Sequence, residues 1–516
     1  MKFLVLSFCL SLTLLSLAIV SQDASAQLRI VTYNTNTFGT EANGSDVRTI
    51  RDEADIVIQA IGEEVVNGFA RPADIIMLQE QQRPNTTTQD FVNRLNNIYN
   101  GQGITYARGF QVGQTIIDTP DGSLSSNEIR QSVVYRTDSV SLISEDSFGA
   151  LNGTTLRQPR ETLMHQFRPV GYGASADLFV FNGHWKASDG NANEAQRETE
   201  ADQIRNYIDS NGLGNRNVIV GGDFNVSDNF SNSGNSAFNG QSALEILSAA
   251  GPGRVLDPLF PDNESVNFSI YDSGVPNTVN GVDLASFLTQ SPSGQGGALV
   301  GGGIDDRFDF LLNSDELLDD EGVSVINGSL RTFGNNGSTG NTQINDGNTI
   351  EFDGVTSFTD QEVLDALEAA SDHLPVVQDF QIPSVLEAQL VGSIPTTVEQ
   401  GSAVDLLLAI RNAADVLLPQ GADELDFQFS TMGDLFGSET GVDDALGSVF
   451  NGIVSLDTTQ LGTRSGVITV SSNSQDVANG LFSIPVSFEV VAAIPEPGSI
   501  TLTALIGVAL ATRRRR

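Results

Sequence analysis

Apolar residues in this chain gather into short, unbroken runs, and each run stops at a cluster of polar side chains. The clearest case is Val218-Ile219-Val220, followed by Gly221-Gly222 and then Asp223-Phe224-Asn225. A β-branched run of that length predicts a buried strand ended by a glycine turn. Asp223 and Asn225 lie two residues apart, so on extended backbone they point the same way. An Asx-stabilised turn is the mundane explanation for the same pair. The pattern recurs. Residues 28–33 run into Asn34-Thr35-Asn36, residues 74–78 into Gln79-Glu80-Gln81, and residues 178–181 into Asn182-Gly183-His184-Trp185-Lys186. Residues 306–312 form a strand that carries Asp309, and Asp372-His373 precedes another at 374–377.

Other segments repeat at about 3.6 residues and predict helices. Residues 46–66 place Val47, Ile50, Ala54, Val57, Ile58, Ile61 and Val65 on one face. Residues 88–99, 193–208 (inner positions Ala195, Thr199, Ile204 and Ile208) and 361–370 read the same way. Residues 131–135 and 139–143 predict strands around a turn. Residues 322–353 predict a hairpin region with turn chemistry at Asn335-Asn336-Gly337. Residues 229–303, rich in Gly, Ser and Asn, predict an insertion or long surface loop with a short helix near 241–250. Helices between polar-capped strands define a layered α/β domain. From 383 to 491 the pattern changes to strand-length alternation with turns between, which predicts an all-β sandwich and offers no constellation for chemistry.

Composition narrows the chemistry. A chain of 516 residues exceeds one ordinary core. Its formal charge of −39 excludes a general field attractive to nucleic acid, so any phosphate substrate must be managed locally, through metal ions. Residues 1–26 have the pattern of a secretory leader: Lys2, an apolar stretch, then Ala24-Ser25-Ala26. The single cysteine, Cys9, lies inside that leader, so disulfide and thiol chemistry are excluded from the mature chain. At the other end, Pro495-Glu496-Pro497 precedes an apolar stretch at 499–512 and Arg513–Arg516. Fourteen helical residues span about 21 Å, short of the ~30 Å hydrocarbon core. That fits a transient membrane contact with the basic end inside.

The polar residues at strand ends are Asn34, Asn36, Glu80, His184, Asp223, Asn225, Asp309, Asp372 and His373. Two of the three histidines are among them. Carboxylate ligands suit Mg²⁺, Mn²⁺ or Ca²⁺, and no Cys or His cluster supports structural zinc. Carboxylates, amides and two imidazoles at one sheet edge suit phosphodiester hydrolysis. His165 matches none of this and is expected to be structural.

R-I-V-T-Y-N-T-N, I-I-M-L-Q-E, N-G-H-W-K-A-S, G-G-D-F-N, D-R-F-D-F-L-L and S-D-H-L-P-V stand in the order of the endonuclease/exonuclease/phosphatase superfamily. This group includes deoxyribonuclease I, exonuclease III-type repair enzymes, neutral sphingomyelinases and inositol polyphosphate phosphatases. The chain resembles it over about residues 28–380. The resemblance implies a four-layer α/β sandwich in residues 27–382, followed by the β-sandwich module at 383–491. It also implies Glu80, Asn34 and Asp372 as metal ligands for Mg²⁺ (or Mn²⁺/Ca²⁺). Asp223 would activate water, Asn225 hold the phosphate, and Asp309 orient His373, with His184 as the second imidazole. Asn36 stands where exonuclease III-type enzymes have Asp, and with Lys186 it is a weaker candidate for substrate phosphate. The N-G-H-W-K-A-S stretch resembles a motif of secreted bacterial nucleases. Residues 492–516 resemble PEP-CTERM sorting signals handled by exosortase-type machinery in Gram-negative bacteria.

The expected function is therefore an exported, divalent-metal-dependent phosphodiesterase, a nuclease of low sequence specificity acting on extracellular DNA. It is expected to be a monomer at the cell surface or in the extracellular matrix. The alternatives are a phosphatase or sphingomyelinase-like phosphodiesterase and, from another class, a catalytically silent matrix or adhesion protein.

Overall fold

The structure is a computed structural model that describes residues 27–37, 49–81, 84–109, 130–149, 160–188, 190–226, 241–260, 278–279, 282–293, 299–347 and 349–493. The expected leader and C-terminal sorting segment lie outside the described residues. Among the described residues no helix is long and apolar enough to cross a membrane.

In chain order the elements are β1 (Leu28–Asn34), α1 (Glu53–Glu63), β2 (Ile75–Gln81), α2 (Pro84–Ile98), β3 (Tyr106–Arg108), β4 (Arg130–Arg136), β5 (Val140–Phe148), β6 (Thr162–Pro169) and β7 (Leu178–His184). Then come α3 (Asn191–Ser210), β8 (Asn217–Asp223), α4 (Ala243–Ser248), β9 (Val255–Leu256), the hairpin strands β10 (Thr278–Val279) and β11 (Val282–Asp283), β12 (Asp309–Ser314), β13 (Ser324–Val325), β14 (Arg331–Thr332), α5 (Asp360–Ala370) and β15 (Val376–Gln381). One mixed sheet runs β13-β15-β1-β2-β4-β3, with β14 also on β15, and a second runs β5-β6-β7-β8-β12-β9.

Strand alternation explains the unbroken apolar runs. Leu28 and Ile30 of β1 and Ile75 and Met77 of β2 face the second sheet, where they meet Val180, Ile219 and Leu311. Their neighbours Val31, Tyr33, Ile76 and Leu78 face the other way, under α1, α2 and α5. On the second sheet Phe181, Val218, Val220 and Phe310 lie under α3 and α4. Strands covered on both faces need apolar residues at every position. Amides tie the two sheets beneath the strand ends: Gln79 Nε2 donates to Asn182 Oδ1 at 2.8 Å, and Asn182 Nδ2 to Ser132 O at 2.9 Å.

Several predicted elements change. The first helix is shorter than 46–66: residues 49–52 precede it, and Glu64 turns extended (φ −59°, ψ 126°) so that Val65 N can donate to Asp353 O at 2.7 Å. The strands predicted around a turn at 131–143 enter different sheets, β4 pairing with β2 and β5 with β6. The 322–353 region is no hairpin. Its short strands β13 and β14 each pair with β15, and Asn335 spends its amide on Ala285 O and Leu288 O. Nor is 229–303 only a surface loop. Leu244 and Leu247 of α4 are core residues, and Asn313 of β12 pairs with Leu256 of β9.

Residues 386–491 form two further sheets, of four and five strands. Leu408, Phe427, Val454 and Phe488 are among the side chains packed between them. This core is joined to the rest of the molecule. Ile382, Ala414, Val416, Ala422 and Ala478 belong to the same apolar cluster as Leu28, Ile30 and Phe380, and Tyr172 donates its hydroxyl to Pro383 O at 2.8 Å.

Candidate functional site

β1, β2, β7 and β8 end on the same side of the two sheets, and β12 and β15 begin there. β7 and β8 are parallel with His184 opposite Asp223, and β12 runs antiparallel with Asp309 opposite Asp223. Pairing alone thus puts three of the candidate residues in one row. Gly222, beside Asp223, has φ 137°, and a Cβ there would come within 1.9 Å of Gly183 O, so only glycine fits this crossing.

Asp223 is at the centre. Its Oδ1 accepts from Asn225 N at 3.0 Å and its Oδ2 from Asn34 Nδ2 at 2.9 Å. The same Oδ2 lies 3.4 Å from His184 Nε2 and 3.8 Å from His373 Nε2. Glu80 Oε1 lies 3.7 Å from His184 Nε2. His373 Nδ1 meets Asp309 Oδ2 at 2.7 Å, and Gln290 Nε2 meets His373 Nε2 at 3.0 Å. Asn36 Nδ2 donates to Asp372 Oδ1 at 2.7 Å, and Asn36 N to Asn34 Oδ1 at 3.0 Å. Nine of the ten sequence-predicted residues are linked through these contacts.

Lys186 is the exception. Its ammonium donates to Ala187 O at 2.6 Å, and it stands beside the group rather than within it. His165, expected to be structural, is buried away from the cluster, 3.4 Å from Glu145 and roughly parallel to the Phe167 ring.

Backbone strain collects at the same place. Asn36, Glu80 and Asn225 all have positive φ, at 29°, 56° and 49°. For Glu80 this conformation sits at an irregularity in the β2–β4 pairing. It is secured by Thr37, whose N–H and hydroxyl both donate to Glu80 O. Left-handed backbone outside glycine costs of order 1–3 kcal/mol and persists where the surroundings over-determine it.

The acids of the site outnumber the cationic side chains that meet them: His373 pairs with Asp309 and faces Asp223, and Arg160 acts on Glu80 only at longer range. Among the described residues none of Glu80, Asp223, Asp309 or Asp372 forms an ion pair with Arg or Lys. Burial pushes the Asp223 carboxyl up to about 7, with Asp309 and Glu80 adding to the rise against the pull of His373. Burial and then Asp372 raise Glu80. Burial, with Arg160 and His373 nearby, holds His184 well below its ordinary range. Burial opposes a charge on His373, but Asp309 and Asp223 outweigh it and hold that imidazole well above the ordinary value. One imidazole is kept neutral and the other cationic.

Glu80, His184 and Asp223 each present a ligand atom within 4.8 Å of the others, as do Asp223, Asp309 and His373. Asp309 Oδ1 and His184 Nδ1 are buried without a hydrogen-bond partner. A mostly oxygen donor set carrying excess negative charge fits a hard divalent cation.

Four contributors escape a reading of the sequence alone. Arg160 donates to Trp185 O at 2.9 Å and His184 O at 3.3 Å. Thr289 Oγ1 accepts from the N–H groups of Phe308 and Asp309. Ser371 Oγ donates to Asn34 O and accepts from His373 N. Gln290 is the fourth. Thr289 and Gln290 come from the stretch expected to be an insertion. Only Ser371, adjacent to Asp372-His373, carries a signal in its position.

No family model and no curated protein matches the chain. Solved structures do align with it. The human Nocturnin catalytic domain with bound sulfate is 16% identical, covering 69% of this chain and 94% of that one at a TM-score of 0.35. An endonuclease/exonuclease/phosphatase family protein from Bacteroides thetaiotaomicron is 15% identical, covering 69% and 97% at 0.35. ANGEL2, a 2′,3′-cyclic phosphatase, is 14% identical, covering 69% and 95% at 0.34. At such TM-scores the likeness supports no functional argument, and the chemistry rests on the site itself.

Proposed function

We propose that this protein is a divalent-metal-dependent phosphoester hydrolase, and more narrowly an exported nuclease acting on extracellular DNA with little sequence preference. The observation that carries the reading is the convergence of Glu80, His184, Asp223, Asp309 and His373 at one end of two sheets, with no guanidinium or ammonium among the described residues paired to the acids. Uncompensated buried carboxylates are costly unless a cation completes them. Mg²⁺, or Mn²⁺ or Ca²⁺, would be held by Glu80, Asn34 and Asp372. When bound, it supplies charge neutralisation at the phosphoryl oxygens.

The chain's own groups then divide the work. Asp223, fixed by Asn34 and Asn225, orients water and accepts its proton; a carboxyl raised toward neutrality is suited to that exchange. Asp309 holds the His373 ring through Nδ1, which leaves Nε2 beside Gln290 and Asp223 at the pocket, where the imidazolium charge stabilises developing negative charge. His184, kept neutral, is the second polar contact. Asn225 and Asn36 bind phosphate oxygens, with Lys186 as a flanking cation. The chain has only two lysines, and Lys186 stands two residues from His184.

The four-layer sandwich, the cleaved leader and the exosortase-handled C-terminal segment complete this reading. So do a monomeric state and residence at the surface of a Gram-negative-type bacterium. The test is a panel of plasmid DNA, RNA, sphingomyelin and inositol phosphates, offered to purified protein with Mg²⁺, Mn²⁺, Ca²⁺ or chelator. Metal-dependent nicking of plasmid supports the nuclease. Turnover of a phospholipid or inositol phosphate alone would replace it with that activity, and no turnover of any substrate under any metal would overturn the enzyme reading.

A further inference from the structure

Helix α3 is built in two halves of different character. Its C-terminal half buries Ala201, Ile204 and Ile208, as the periodicity requires. Its N-terminal half buries Glu194, Arg197, Glu198 and Glu200 instead. Burial pushes the Glu200 carboxyl up to about 8, so this arrangement works against folding rather than for it. Charged residues at core positions of an otherwise amphipathic helix call for a functional reason.

The contacts of these residues supply one. Glu200 Oε2 accepts from Lys186 N at 3.0 Å. Arg197 Nη1 donates to Lys186 O and, at 3.1 Å, to Ser188 O, while its Nη2 is held by Glu194. Trp185, one residue earlier, is gripped by the site itself: its N–H donates to Asp223 O at 2.9 Å, and its carbonyl accepts from Arg160 and Asn225. The segment from Trp185 to Ser188 is irregular, with Ser188 at φ 75°, and the β7–β8 pairing ends at His184. Buried side chains of α3 hold the chain in its place.

We propose that Glu200 and Arg197 are positioning residues, which clamp the backbone of residues 186–188 from below and thereby set the placement of the His184 imidazole and the Lys186 ammonium. The inference deepens the hydrolase reading above and rests on it for its kinetic consequence. Removing supporting partners of this kind costs about 10–100-fold in activity at comparable sites.

The full chain would carry Glu200→Gln, Glu200→Ala or Arg197→Lys, with bis(p-nitrophenyl) phosphate and Mg²⁺ as the kinetic probe. Glu200→Gln keeps an acceptor for Lys186 N and is expected to stay within about threefold of the parent in kcat, within the spread of an interaction that is retained. Glu200→Ala is expected to lose about 10–100-fold in kcat with little change in KM. Equal kcat per folded molecule in all three variants, with only the melting temperature altered, would overturn the proposal. A second readout does not depend on turnover. The chain has three histidines, so their ring signals resolve in a ¹H–¹⁵N spectrum of labelled protein. Glu200→Ala is expected to shift His184 and to leave His165, which stands on β6 opposite Val180, in place. An unmoved His184 overturns the positioning role even if the protein hydrolyses no phosphodiester. A shifted His184 without activity upholds the clamp and refutes only the assigned reaction.

Discussion

The two ends of the same strands treat buried acids in opposite ways. At the end away from the site, Asp379 is paired with Arg29 at 2.7 Å and Arg331 at 3.3 Å, and Asp74 with Arg71 at 2.6 Å and Arg136 at 3.2 Å. Burial would raise the Asp74 carboxyl, but the two arginines hold it below the usual range. At the mouth, Glu80 at the end of β2 is partly exposed and Asp223 at the end of β8 is buried, and both are pushed up. A single strand length separates the two environments. The first end carries its own counter-charge in covalent form. The second sets the His373 imidazolium against several acids and leaves the remaining counter-charge to come from solution, which is what a site that must bind and release charged groups needs.

The contrast can be broken at either end. The largest effect is expected at the mouth: Asp223→Asn and His373→Ala should each lower turnover by about 10²–10⁴-fold, the range for positioned acid–base groups. Asp223→Asn should leave the melting temperature near that of the parent, whereas His373→Ala strips the buried Asp309 of its partner and should lower it, so rates are compared per folded molecule. Near-parental rates in steady-state assays would reject the roles given to these two side chains. At the other end, Arg29→Ala leaves the buried Asp379 with Arg331 alone, at 3.3 Å. It should cost about 3–5 kcal/mol of unfolding free energy in denaturant titrations, with kcat per folded molecule intact.

Next in size is the response to cations. Divalent metal at a hundredfold excess over its Kd should stabilise the parent by about 2.7 kcal/mol. Glu80→Gln should lose that gain, whereas Arg29→Ala should keep it. The smallest effect is in the pH profile measured in chelator. Asp223 has a folded value near 7 against an unfolded one of about 3.9, so the folded state holds the extra proton. Stability should fall as pH rises from about 4 to 7, and Asp223→Asn should flatten that limb. Asp74, lowered on folding, acts with the opposite sign: its contribution is present above about pH 4 and vanishes on acidification, and Asp74→Asn should remove the acid limb instead. Melting curves across pH 3–8 read both slopes.

Much of the site is legible in the sequence. Buried strands advertise themselves by apolar runs, and a carboxylate or imidazole just past such a run has nowhere to go but the sheet edge. Asn34, Glu80, His184, Asp223, Asp309 and His373 stand out on that basis. Arg160, Thr289 and Gln290 do not, because all three act from irregular segments, and Arg160 and Thr289 act through backbone carbonyls and N–H groups, which leave no residue pattern. Lys186 is the converse case. Its position after His184 suggests a place in the pocket, but the chain turns after β7 and its ammonium caps Ala187 O. The charged face of α3 is also invisible to periodicity, which looks for apolar residues and finds only Thr199, Ile204 and Ile208 where it expects them.

What the sequence determined by itself is local: which stretches are strand or helix, which face of each is apolar, and which polar groups stand at the strand ends. Steric preference and the alternation of side chains act over a few residues and need no partner. Only the tertiary structure decided that these ends meet, because the meeting depends on packing one sheet on the other and on side-chain contacts between residues 189 positions apart for Asn34 and Asp223 and 336 for Asn36 and Asp372. It also decided which acids received an arginine and which did not, and that selection separates a braced sheet end from one open to chemistry.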